Sequence, residues 1–482
     1  MDRLTSIDAS FLAQEKEGSH MHIGAVVVFD GPPPSGQEFT DHIGSRLHLV
    51  PRYRQKLAFP RFQMGRPLWI DDPSFNLRYH VRHTSLPKPG GIEQLHLLAG
   101  RIFSQRLDRT KPLWELWLIE GLEEGRFAII NKTHHSLVDG VSGADITTVL
   151  FDLDKDGGNV PPPEEEWIPS PQPSDAEIVA KGADELIKVP FGLARRALRA
   201  ASDPDRTIEE LREAAEGASE VLWGAISRAP ETPLNCEIGP HRRVRWVGAE
   251  LAGLKEIKNS LGGTVNDVFL AIVSGALGRW LRTRGVRTEG LELRGAVPVS
   301  VRAESGDGDL GNKITIMVGR LPTYCDDPVE RLGIVSEQMK DLKESKQAMG
   351  AEAIARIEDF APPALFARAS RLHFSTRLYN LLVSNVPGPQ FPLYVLGREL
   401  KEFIPVAFLA PNQALAIAII SYNGGVRIGL IGDYDAMPDL DLLGEYVEEA
   451  TTELLEAARS AAPAAESEEP QPAPADQPEK PA

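Results

Sequence analysis

The sequence predicts a two-domain protein of mixed α/β class, on three observations. The chain has 482 residues, more than one hydrophobic core ordinarily serves. Strand-like β-branched runs alternate with helical apolar spacing in both halves. Between the halves lies a polar, proline-rich stretch. Asp154-Lys155-Asp156-Gly157-Gly158 leads into Pro161-Pro162-Pro163-Glu164-Glu165-Glu166 and on through Pro169 to Pro173, a linker rather than a core. The expected bounds are 1–160 for the first domain and 161–205 for a linker with a connecting helix. A second domain over 206–459 and a tail over 460–482 complete the chain.

In the first half, residues 22–29 (HIGAVVVF) read as a strand that stops at Asp30-Gly31-Pro32-Pro33-Pro34, a turn. Residues 36–57 are basic and helix-like. Residues 92–107 place Leu95, Leu98, Ala99, Ile102 and Phe103 on one side of a helix. Strands are expected at 113–119 and 127–131, paired as a hairpin, with a helical pattern over 141–150.

Two helical stretches, 177–201 and 207–227, follow the linker. The first sets Arg195, Arg196 and Arg199 beside Phe191, Leu193 and Leu198. This basic amphipathic surface reads either as a solvated face over the domain joint or as a lipid contact. The second half gives a buried helix at 266–281, strands at 293–301, 313–321, 380–386 and 414–420, and an amphipathic helix at 440–458. From about Ser460 the chain is mostly Ala, Pro and Glu, and disorder is expected.

Composition narrows the function. A hydrophobic fraction of 42% and a charged fraction of 25% are those of a folded soluble protein. A formal net charge of −17 excludes the basic footprint of a nucleic-acid binder. Cys236 and Cys325 stand alone, so neither a disulfide framework nor a zinc knuckle is expected, and a reducing, cytoplasmic setting is. The start Met1-Asp2-Arg3-Leu4 opens no signal peptide, and no apolar run is long enough to span a bilayer. Contact with membrane or lipid droplet is therefore expected to be peripheral.

The informative segment is Asn131-Lys132-Thr133-His134-His135-Ser136-Leu137-Val138-Asp139-Gly140. It places a histidine pair where a strand runs into a loop. Adjacent residues of extended chain point to opposite faces, so one imidazole can face a channel while the other packs. Imidazole, with a pKa of about 6.5, suits removal of a proton from an alcohol near neutral pH. Asp139 can orient a histidine or anchor the loop by a salt bridge, and Gly140 permits a turn. From spacing alone a structural pair, a metal site and a general base all stay open.

The segment resembles the HHxxxDG active-site motif of the wax ester synthase/diacylglycerol acyltransferase family, within the superfamily of CoA-dependent acyltransferases and condensation domains. Further blocks are similar to that family in order. They are Leu4-Thr5-Ser6-Ile7-Asp8 with Met21-His22-Ile23-Gly24, Pro112-Leu113-Trp114, Asn266-Asp267, and Pro298 to Arg302. Gly311-Asn312, Ser384-Asn385-Val386-Pro387-Gly388-Pro389, Ser421-Tyr422-Asn423-Gly424 and Pro438-Asp439 follow.

The resemblance implies two similar chloramphenicol-acetyltransferase-like domains, with mixed sheets flanked by helices and a channel between them. It implies acyl-CoA-dependent O-acyl transfer to diacylglycerol or a long-chain alcohol, with His135 as general base and His134 and Asp139 in supporting roles. Arg302 is then the candidate salt-bridge partner of Asp139. Asn266 and Asp267 either cap the buried helix or line the site and polarise the acyl carbonyl. Asn385 either builds a turn or donates to the oxyanion. Acyl-CoA and a lipid alcohol are the expected partners, with no cofactor or metal and with the oligomeric state left open. The alternatives are a condensation-type transferase fed by a carrier-protein thioester, or a lipid-binding protein without turnover.

Other signals fall away. Gly306-x-Gly308-x-x-Gly311 precedes a strand-like run rather than a helix, so it is no dinucleotide fingerprint. No GxSxG elbow occurs. His80 and His83 lack a carboxylate cluster to complete a metal site.

Overall fold

The computed structural model describes residues 2–60, 66–138, 150–158, 160–174, 176–178, 228–301, 313–344, 376 and 378–461. Asp139, Gly140, Arg302, the Arg195/Arg196/Arg199 face and the tail beyond Ala461 lie outside the described residues.

The first half supplies strands β1 (Asp2–Arg3), β2 (His22–Phe29), β3 (Gln55–Ala58), β4 (Leu68–Asp71), β5 (Val81–Ser85), β6 (Trp114–Glu120) and β7 (Phe127–His134). Its helices are α1 (Ser6–Gln14), α2 (Gly36–Arg46), α3 (Leu77–His80) and α4 (Ile92–Ser104). The second half opens with β8 (Arg242–Glu250), α5 (Leu251–Leu261), α6 (Val265–Thr283), β9 (Glu292–Val301), β10 (Lys313–Pro322) and α7 (Pro328–Glu344). It closes with β11 (Leu381–Pro387), β12 (Tyr394–Val395), β13 (Arg398–Val406), β14 (Leu415–Tyr422), β15 (Gly425–Asp433) and α8 (Leu440–Ala461).

Among the described residues two six-stranded sheets, one ordered β12-β13-β2-β7-β6-β5 and the other β10-β9-β11-β14-β15-β8, carry the fold beside a three-stranded sheet β1-β4-β3. Both are mixed. In the first only β5 and β6 run parallel, and in the second β11 runs parallel to both β14 and β9. The continuous β-branched run of β2 explains its central place, since Val26, Val27, Val28 and Phe29 are all buried.

Helix α6 is apolar on nearly every face, from Val268 to Leu281. It is covered accordingly by α7, α8 and β10. Although β13 belongs to the second half, it pairs with β2 in the first sheet and also touches β14 and β15. At Gly429 of β15 a Cβ would lie 2.0 Å from the Pro405 carbonyl oxygen of β13. Only a residue without one fits.

Several expected bounds shift: the helix expected over 92–107 ends at Ser104 and the strand expected over 414–420 runs to Tyr422. The helix expected over 36–57 ends at Arg46, giving way to short 3-10 turns and then β3. Val50, ahead of Pro51, adopts φ −130° and ψ 68°, because a residue preceding proline is pushed out of the helical region. β7 runs past Asn131 to His134. Among the described residues no single helix is long and apolar enough to cross a membrane.

Candidate active site

The histidine pair stands at the end of β7. His134 is the strand's last residue and His135 the first of a 3-10 turn ending at Leu137. Both backbone N–H groups are held. His134 donates to the Leu113 carbonyl at 3.0 Å and His135 to the Met21 carbonyl at 2.9 Å. Leu113 lies in the Pro112-Leu113-Trp114 block, and its neighbour Trp114 donates through Nε1 to the Tyr53 carbonyl at 2.7 Å. Met21 adopts φ +52° immediately before β2, a conformation uncommon outside glycine.

The two imidazoles have different surroundings. His134 is buried, 1% exposed. The Ser136 backbone N–H (3.1 Å) and hydroxyl (2.7 Å) both donate to its Nδ1. Nδ1 is thereby assigned as acceptor, and Nε2 carries the proton. That Nε2 faces Glu15 Oε2 at 3.5 Å, a distance that makes the contact charge–dipole rather than a tight hydrogen bond.

Glu15 is 2% exposed at its side chain and ion-paired to Arg106 at 2.8 Å and to Arg109. Burial alone would raise its carboxyl. The His134 contact and the two guanidiniums outweigh that and bring it down to about 2. Burial also lowers His134, against the upward pull of Glu15, so the Glu15–His134 contact is anion to neutral ring.

His135 is half-buried and held by aromatic rings. Phe11 of α1 stacks on it with centroids 3.8 Å apart and planes 18° from parallel. Phe408 meets it edge-on at 5.7 Å. Its Nδ1 is buried with no hydrogen-bond partner among the described residues. Burial drives the ring down to about 4, His134 adds to the effect, and the residue's own backbone carbonyl opposes it. His135 is therefore neutral at pH 7, able to accept a proton.

The remaining candidates fall into two groups. Asn385 on β11 donates from Nδ2 to Asn266 Oδ1 at 3.2 Å, so these two come together. Asp267 serves the helix. Its Oδ2 accepts from the Thr264 N–H at 2.8 Å while its own N–H donates to Thr264 Oγ1 at 3.2 Å, a capping box at the start of α6. Among the described residues no hydrogen bond joins this group to His134 or His135. Nor does any group of three His, Cys, Asp or Glu side chains suit a metal ion among them. His80 instead hydrogen-bonds the Trp114 carbonyl at 2.8 Å, and His83 pairs with Glu120 at 2.8 Å.

Glu15, Phe11 and Phe408 were not legible as site residues from the sequence, because each meets the histidines from far along the chain. A faint signal existed at Phe11 and Glu15. They lie four residues apart just after the family-like block that begins at Leu4, close enough for one helical turn to bring them to one side; Phe11 is on α1 and Glu15 caps it.

Comparison with known proteins agrees over nearly the whole length. A family model described as "Wax ester synthase/diacylglycerol acyltransferase catalytic domain" matches residues 4–269, and one described as "WS/DGAT C-terminal domain" matches residues 310–455. In Mycobacterium tuberculosis H37Rv, "Probable diacyglycerol O-acyltransferase tgs1" is 31% identical over 462 residues, which is 94% of this chain and 96% of that protein. The same organism's "Probable diacyglycerol O-acyltransferase tgs2" is 30% identical over 95% of this chain and 99% of its own length. Among solved structures, the wax ester synthase/diacylglycerol acyltransferase of Marinobacter aquaeolei VT8 superposes with a TM-score of 0.68 at 27% identity, covering 95% of this chain and all of that one. The first condensation domain of the calcium-dependent antibiotic synthetase, at 16% identity and TM-score 0.56, shares the fold.

Proposed function

Because this chain belongs to the wax ester synthase/diacylglycerol acyltransferase family, we propose that it moves an acyl group from acyl-CoA to the hydroxyl of diacylglycerol or a long-chain alcohol, with His135 as general base. The observation that carries this reading is the neutral, ring-clamped imidazole of His135, whose Nδ1 is turned into protein. Nε2 is then the nitrogen left for substrate.

In the proposed step Nε2 takes the hydroxyl proton as the alcohol oxygen bonds to the thioester carbonyl carbon. The tetrahedral adduct collapses, the C–S bond breaks, and the imidazolium returns the proton to the CoA thiolate. No acyl-enzyme is required, since the alcohol is the nucleophile, and the thioester is already activated without a cofactor. His134, fixed by Ser136 and Glu15, supports the turn beneath the base. Asp139 and Gly140 complete the motif in this reading, and Arg302 is the candidate salt-bridge partner of Asp139. In this reading the Asn266–Asn385 pair offers amide donors to the acyl carbonyl, and Asp267 holds the helix that presents it. Both lipid substrates are insoluble, so peripheral contact with a lipid surface belongs to the proposal.

Product analysis tests it. Incubation with a long-chain acyl-CoA and either diacylglycerol or hexadecanol should yield triacylglycerol or wax ester with stoichiometric CoA. Absence of both esters contradicts the reading.

A further inference from the structure

We propose that Phe11 and Phe408 make the site selective for an alcohol over water, so that the enzyme transfers its acyl group rather than hydrolysing the donor. This inference rests on the reading of His135 as base. A base able to deprotonate an alcohol can deprotonate water. The water oxygen would bond to the acyl carbon, the C–S bond would break, and the proton would pass through the imidazole to the CoA thiolate, leaving free fatty acid and CoA. The base itself does not discriminate between the two nucleophiles. Its surroundings must.

Among the described residues, the two rings packed on His135 are apolar and come from opposite ends of the chain. Phe11 covers one face of the His135 ring at 3.8 Å, and Phe408 closes a flank at 5.7 Å. The two phenyl rings meet each other edge to face at 5.9 Å, and both residues are 5% exposed. The Phe408 segment is tied down by the Ser19 hydroxyl, which donates to the Leu409 carbonyl at 2.6 Å. That bond links it to the same loop whose Met21 carbonyl holds the His135 N–H.

A water molecule beside this ring gives up hydrogen bonds and finds no replacement on phenyl surface. A long-chain alcohol brings its own alkyl chain to that surface and gains by burying it. Truncating either ring opens polar-accessible volume next to the base and removes the difference.

The test measures CoA release from palmitoyl-CoA with and without hexadecanol, together with ester formed. It uses the wild type, Phe11→Leu, Phe11→Ala, Phe408→Leu and Phe408→Ala, each checked by thermal melting. The transfer-to-hydrolysis ratio should fall about tenfold or more in the Ala variants and less in the Leu variants, which keep most of the apolar volume. Should an Ala variant fail to fold, the Leu variant still reports a lowered ratio. A wild-type ratio in every folded variant overturns the inference even if turnover slows. Absence of alcohol-dependent release in the wild type, or its survival in His135→Ala, contradicts the functional reading and this inference with it.

Discussion

Glu15 faces the protonated Nε2 of His134 at 3.5 Å from within a pair of arginines. Four residues earlier, on helix α1, Phe11 stacks on His135, and its carbonyl accepts the Glu15 N–H at 3.1 Å. Helix α1 and the residue that caps it thus touch both members of the histidine pair, α1 through a ring face and Glu15 through charge. The pair's geometry is set as much by the N-terminus as by the strand that bears it.

Replacing Glu15 tests the charge. In Glu15→Gln, a neutral amide can still fill the space and accept from the arginines, and turnover should fall about tenfold with KM little changed. Glu15→Ala strands two partly exposed guanidiniums and should also cost roughly 1–3 kcal/mol of stability. Steady-state kinetics alongside urea denaturation separates the two effects. A Glu15→Gln enzyme with full kcat would reduce Glu15 to a structural tie.

Acid should unfold this protein through its histidines. Burial is the largest cause of lowering at His20, His80, His96 and His135, each brought to about 4. Between pH 6.5 and 4 the unfolded chain binds protons that the folded one refuses, so stability is full above about 6.5 and is lost as pH falls toward 4. The expected loss is of order 1–3 kcal/mol per ring. Thermal melts from pH 7.5 to 4.5 should show a falling midpoint, and a flat profile would count against neutral burial of these rings.

The same lowering at His135 bears on rate. Its neutral form persists well below pH 6.5, so kcat/KM should show no acid limb near 6.5 in the range where the fold survives. A clear limb at 6.5 would mean that the ring is solvated in the free enzyme.

Lys132 lies on β7, fully buried, with Nζ 3.0 Å from Glu115 and from the carbonyls of Ile102 and Gln105 at the end of α4. Lys132→Met leaves Glu115 buried with Arg82 and Trp117 alone. It should destabilise by about 2–4 kcal/mol, and a double variant with Glu115→Leu should recover part of that. A double-mutant cycle by urea denaturation reads the coupling directly.

Gly429→Ala places a methyl 2.0 Å from the Pro405 carbonyl oxygen, where backbone, not a side chain, must yield. A loss of several kcal/mol is expected, and it should weaken the seam that β13 makes between the sheets. A melting midpoint within about a degree of wild type would show that this seam is plastic.

Much of the fold was legible where a sequence run carries one physical message. β2 and β14 are nearly unbroken β-branched or aliphatic runs, and α6 is apolar all round. β13 was not. Its residues Arg398-Glu399-Leu400-Lys401-Glu402 are mostly charged, Pro405 discourages a strand reading, and its register shifts between Leu400 and Glu402. It is a strand because β2 supplies a partner, which no local pattern shows. No helix can run through 36–57, because Pro51 pushes Val50 out of the helical region, a signal present in the sequence.

The same division holds at the site. The histidine pair is a local motif and could be read, whereas Glu15, Phe11 and Phe408 acquire their roles only by folding. Several blocks that resembled the family turn out to serve the fold. Tyr422 accepts the Leu393 N–H at 2.8 Å and donates to the Leu400 carbonyl at 3.1 Å. Asn423 and Gly424, with φ of 44° and 83°, turn β14 into β15. Asp439 pairs with Arg284 at 3.1 Å at the start of α8.

The most direct test of His135 as the base is acyl transfer by His135→Ala, set against wild type with palmitoyl-CoA and the preferred alcohol and paired with a thermal melt. Loss of the base should lower turnover by roughly 10² to 10⁴ with the fold retained. A folded His135→Ala protein that makes ester at close to the wild-type rate would contradict that assignment.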